Sequence, residues 1–84
     1  MSFDGGFVGC FAVSKKGHDN GKVYIIKSVV DDKFVLVVDG ENRPLERPKR
    51  KNIRHLDVCK HRTAATSDLA IKRAVKEFSK KESE

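Results

Sequence analysis

Lys22 to Val38 reads KVYIIKSVVDDKFVLVV. Two runs rich in Val, Ile, Tyr and Phe, over 22–30 and 33–38, flank Asp31-Asp32. β-Branched and aromatic side chains suit a pleated surface, and a short polar break between two such runs closes a hairpin. This stretch therefore decides for β. Phe34, Leu36 and Val38 share one face of the second run, and Val35 and Val37 share the other. Both faces are apolar, so alternation alone leaves the inward face open.

The pattern extends in both directions. Upstream, Phe7 to Val13 is a short apolar run bounded by Gly5-Gly6 and by Ser14-Lys15-Lys16-Gly17. Downstream, Asp39-Gly40-Glu41-Asn42 is a turn signal in which the short carboxylate caps the backbone, as Asp31-Asp32 does before it. A brief strand is expected over Leu45–Arg47, before Pro48. Another is expected over Ile53–Val58 (IRHLDV), although Ile53 and Leu56 are out of phase. Five short strands joined by tight turns predict a mainly β fold. A small barrel would fill its interior with alternate residues and remove exposed edges.

The character changes at Thr63. Thr63 to Thr66 reads as a linker, and Thr66 or Ser67 can cap a helix whose first turn favours Asp68. Ile71, Ala74, Val75 and Phe78 recur at helical spacing as one apolar stripe, which Leu69 extends imperfectly. Lys72, Arg73, Lys76 and Lys80 take other faces. The expected division is a barrel over 1–62 and a linker with an amphipathic helix over 63–84. The stripe is expected to pack on the barrel rather than await a partner, and Lys81 to Glu84 is expected to fray.

Charge is spread unevenly over the 84 residues. Arg43 to Arg62 holds eight Lys/Arg against Glu46 and Asp57, and so carries the whole formal net charge of +6. Elsewhere ten basic and ten acidic residues cancel. Such a local excess draws in a polyanion, most often nucleic acid; the bland alternative is a solubilising surface. The chain has no basic leader before an apolar core and no apolar run of the roughly 18 residues a bilayer demands. Two cysteines, Cys10 and Cys59, make no disulfide framework and fit a reducing compartment. A soluble, cytoplasmic monomer is the expectation.

Chemistry beyond binding has little support. Cys59-x-His61 with His55 and His18 offers N and S ligands but lacks the paired half-sites of a zinc centre. No nucleophile has a His/Asn framework, and no carboxylate pair stands in a catalytic setting. Neither an enzyme nor a cofactor is expected. The segment Ser14 to Lys22, SKKGHDNGK, is different: two glycines four apart permit positive φ, and the lysines around them can meet phosphates. It lacks the GK[ST] ending and following helix of a P-loop.

An apolar strand followed by SKKGHDNGKVYII resembles the KOW motif, a strand, a Gly-containing loop and a second strand. The resemblance continues through FVLVVDGENRPLERPKRKNIRHL and covers roughly Gly9 to Val58. DG-x-x-RPL and PKRKN-x-x-HL look like the small bacterial KOW proteins related to large-subunit ribosomal protein fourteen of archaea and eukaryotes. The resemblance implies an SH3-like barrel that binds structured RNA, ribosomal RNA foremost, through its loops. Carried over by position, the RNA-binding residues are Lys15, Lys16, His18 and Lys22 in the first loop, then Arg43 and Lys49, Arg50, Lys51 and Asn52. Arg54 joins them on charge.

With one Tyr and no Trp, an aromatic platform for single strands is not expected; backbone and shape recognition fits better. Two rivals stand. One is an adaptor that docks on the ribosome or transcription machinery through barrel or helix. The other is a DNA binder, which charge alone does not separate from an RNA binder.

Overall fold

The structure, a computed structural model, describes residues 8–17 and 20–82. Its strands are β1 (Cys10–Ser14), β2 (Val23–Val29), β3 (Phe34–Val38), β4 (Lys49–Asn52) and β5 (Leu56–Arg62). A single 3-10 turn, Ile53–His55, separates β4 from β5, and a helix, α1 (Asp68–Glu82), follows. The strands form one antiparallel sheet in the order β4-β3-β2-β1-β5.

The predicted hairpin is there. Asp31 Oδ1 accepts from the N–H groups of Lys33 and Phe34 at 2.8 and 2.9 Å, which shapes the turn between β2 and β3. Lys27 interrupts the β2–β3 register, and a second irregularity falls between Cys10 and Ala12 of β1. Bulges increase local twist and bend a sheet. Here β4 and β5, its opposite edges, are joined by only three residues. The Ile53 N–H donates to the Lys33 carbonyl at 2.8 Å, and the Lys15 N–H donates to the His55 carbonyl at 2.8 Å. The sheet therefore curls until its edges approach at this end.

Two expectations need correction. Leu45–Arg47 is no strand: its Leu45 N–H donates to Asp68 Oδ1 of the helix, and its carbonyl accepts from Lys27 Nζ, both at 2.8 Å. Both backbone groups are thus taken, and Arg47 closes a turn onto the Pro44 carbonyl. The strand lies instead over Lys49–Asn52, where residues of low β propensity pair along β3. In Ile53–Val58 the first three residues are the 3-10 turn, which accounts for the phase slip between Ile53 and Leu56, and β5 runs on to Arg62. Phe7, the expected start of β1, lies outside the described residues.

Two apolar clusters lie on opposite faces of the sheet. Ala12, Tyr24, Ile26, Val35, Val37 and Leu56 form one. Phe11, Val23, Ile25 and Val38 join Ile71 and Phe78 of α1 in the other. Val35 and Val37 thus face the cluster that β1, β2, β3 and β5 share, and Val38 lies under the helix. Ser67 caps that helix, its Oγ accepting from the Ala70 N–H at 3.2 Å. The stripe is used within the chain: the Phe11 and Phe78 rings stack 4.4 Å apart, Ala74 and Val75 pack beside them, and Leu69 is left 60% exposed. The helix continues through Lys81 and Glu82, past the expected fraying point; Ser83 and Glu84 lie outside the described residues. No described helix is long and apolar enough to cross a membrane.

Candidate nucleic-acid interface

The basic segment is an edge strand, not a loop. β4 pairs with β3 as Phe34↔Asn52, Val35↔Lys51, Leu36↔Arg50 and Val37↔Lys49. Lys49 and Lys51 are consequently half-buried on the side of Val37 and Val35, and Arg50 is exposed on the opposite side. The guanidinium carbon of Arg50 sits 4.1 Å above the centroid of the Phe34 ring. Asp31 feels that charge as well. Its carboxyl is held below the usual range chiefly by the Lys33 and Phe34 N–H groups, with Arg50 and Lys33 adding to the effect.

The 3-10 turn extends this edge. Asn52 caps it, its Oδ1 accepting from the Arg54 N–H at 2.9 Å, so that oxygen serves the backbone rather than a ligand. Arg54 is exposed. The hydrogen bond from Lys15 to His55 then brings the start of the β1–β2 loop, with exposed Lys15 and Lys16, beside the same turn. In that loop Gly17 and Gly21 have φ of 84° and 89°, the positive values its sequence predicts. His18 lies outside the described residues.

Lys22 and Arg43 belong to a second group, organised by Asp39. This carboxylate is only 5% exposed. Its Oδ1 accepts from the N–H groups of Glu41 and Arg43 at 2.9 and 2.8 Å, and its Oδ2 lies 3.1 Å from Lys22 Nζ. Lys22 is half-buried, and its ammonium is paired with that carboxylate. The Arg43 side chain is exposed on the turn that Asp39 shapes. Helix α1 approaches here too, with Lys72 Nζ 3.5 Å from Glu41 Oε1. Lys72 and Lys76 line a shallow groove with Lys22 and Asn42. Sequence reasoning missed both helix lysines, and only the docked helix reveals them.

Burial raises the Asp39 pKa, but the Arg43 and Glu41 N–H groups and the Lys22 ammonium outweigh it and hold the carboxyl below its ordinary 3.8. A carboxyl depressed by folding contributes stability above its unfolded pKa and loses it as pH falls through the lower folded value. Asp39→Asn should therefore destabilise at pH 7, by more than about 1.5 kcal/mol because hydrogen bonds to a charged acceptor weaken. The gap from wild type should narrow toward pH 3. Denaturant unfolding of both proteins at the two pH values checks this; a gap equal at both would mean that the charge on Asp39 adds nothing to stability.

Among the described residues, no three His, Cys, Asp or Glu side chains converge on a metal-sized site. No protein-family model matches the chain. It is similar to the large ribosomal subunit protein eL14 of Hyperthermus butylicus, with 29% identity over 73 residues that cover 83% of this chain and 74% of the relative.

Proposed function

We propose that this chain is a non-enzymatic binder of structured RNA, ribosomal RNA foremost, and works in the cytoplasm in association with the ribosome. In this reading the curled sheet is an SH3-like barrel of the KOW type, like that of the small bacterial KOW proteins. The three-residue link between opposite edges supports closure at one end. The observation that carries the function is the continuous basic rim: β4, Arg54 on the 3-10 turn, and Lys15 and Lys16 on the loop bonded to that turn. Phosphates are met by this rim, Arg43 and the helix lysines add to it, and Lys22 acts through Asp39. The similarity to a ribosomal protein over most of the chain supports RNA over DNA. A charged edge strand also resists edge-to-edge aggregation, so the same residues serve solubility.

The adaptor reading weakens in one respect. The apolar helix stripe is packed against Phe11, Val23, Ile25 and Val38 and is not presented to a partner. Crosslinking in cells, followed by sequencing of the attached RNA, tests the proposal. Reads concentrated in ribosomal RNA are expected; recovery no higher than from an uncrosslinked control would overturn it.

A further inference from the structure

We propose that Arg50 and Phe34 form a stacking site for one unpaired RNA base, which gives the rim a preference for looped over fully paired RNA. This inference rests on the RNA-binding reading. Its basis is a diagonal pair across two strands. Phe34 stands opposite Asn52, and Arg50, two residues back on β4, shares that face. The face is the one whose far end, at Val38, lies under α1. At the near end Phe34 and Leu36 are only half-buried and Arg50 is exposed.

The Arg50 guanidinium carbon, 4.1 Å above the Phe34 centroid, is in contact with the ring. A seated guanidinium has lost much of its rotamer freedom before any ligand arrives, and it is more weakly hydrated than an ammonium. Its plane accepts a base on the side away from the ring, and its N–H edges reach a flanking phosphate. Mere neutralisation of a phosphate would need no ring and no plane. Oδ1 of the nearby Asp31 is taken by the backbone N–H groups of the turn, and the carboxylate also attracts Arg50 through space.

The test uses two probes on the full chain. One is an RNA hairpin with 2-aminopurine in an unpaired purine loop; the other is a blunt RNA duplex of equal length. Wild type should change the 2-aminopurine fluorescence as the base leaves the loop stack, and bind the hairpin about tenfold more tightly than the duplex, the scale of one stacked base. Arg50→Lys keeps the charge and removes the plane. It should abolish the preference and the fluorescence change while leaving duplex affinity within about twofold and the salt dependence unchanged. Phe34→Leu keeps an apolar residue and removes the ring, and should act in the same direction. A thermal melt confirms that each variant is folded. Hairpin preference and fluorescence change retained in folded Arg50→Lys would overturn the stacking site and leave the RNA reading standing. Equal losses on both probes would also overturn it, in favour of a backbone contact. Failure of wild type to bind either probe would overturn the RNA reading and this site with it.

Discussion

Gly40→Val should unseat the C-terminal helix and lower stability by at least about 3 kcal/mol. Gly40 has φ of 78°, which costs a residue with a Cβ about 1–2 kcal/mol before its neighbours are considered. Its surroundings add more. A Cβ here would collide with the Asp68 carbonyl oxygen and stand 2.7 Å from the Lys72 backbone nitrogen. Both are atoms of the first turns of α1 and cannot swing aside as a side-chain tip would. Gly40 cannot retreat either, because Asp39 is anchored beside it and Asp68 holds Leu45, just past the turn. The helix must move, and Ile71 and Phe78 are then drawn off the sheet; each contributes about 1.5–3 kcal/mol of burial. For a domain this size the melting temperature should fall by at least about 12 °C. Amide protection over 69–80 should fall with it. Gly21→Ala is the internal control: its φ is 89° but its Cβ would meet nothing within 4 Å, so only the strain remains. A Gly40→Val protein that melts within a degree or two of wild type would mean the helix is not seated on this turn.

Replacing Lys49, Arg50 and Lys51 together should reduce affinity for structured RNA by about two to three orders of magnitude at 0.1 M salt, near one power of ten for each phosphate left without its cation. The salt slope should become shallower by about 2 to 3 units. As a loop these residues would be replaceable by alanine at negligible cost. As an edge strand they are not: Arg50 rests on Phe34, and Lys49 and Lys51 lie along buried Val37 and Val35. Threonine is the better substitute because it retains β propensity while removing charge. Filter binding and a thermal melt of Lys49→Thr, Arg50→Thr, Lys51→Thr read the two effects separately. Unchanged affinity in a folded triple variant would move the RNA-binding surface away from β4.

The hairpin, the turn carboxylates and the helix stripe are legible in the sequence because each is a local code. Asp31 and Asp39 cap turns within four residues of themselves, and Ile71 to Phe78 declare a face by spacing alone. The edge strand is not legible, because nothing in Lys-Arg-Lys-Asn favours extended backbone. β3 imposes that conformation by pairing. Leu45 misleads for a related reason: its backbone is claimed from afar, by Asp68, 23 residues away, and by Lys27, 18 away. The 3-10 turn leaves a trace in the phase slip between Ile53 and Leu56. The inward face of β3 is undecidable from sequence because one face packs among the strands and the other is partly covered by a helix. Within the candidate site, charge locates the rim, but the seat of Arg50 on Phe34 depends on a register that no local pattern states. The pairing of Lys22 with buried Asp39 is equally invisible, because it joins residues 17 apart in the chain.

If the basic rim binds folded RNA chiefly through phosphates, its affinity must depend steeply on salt. Affinity of the full chain for a structured ribosomal RNA fragment, measured by filter binding at several salt concentrations, tests it most directly. Four to six neutralised phosphates predict that log K falls against log salt with a slope of roughly −3 to −5. No retention of RNA at low salt, or an affinity indifferent to salt, would contradict the claim.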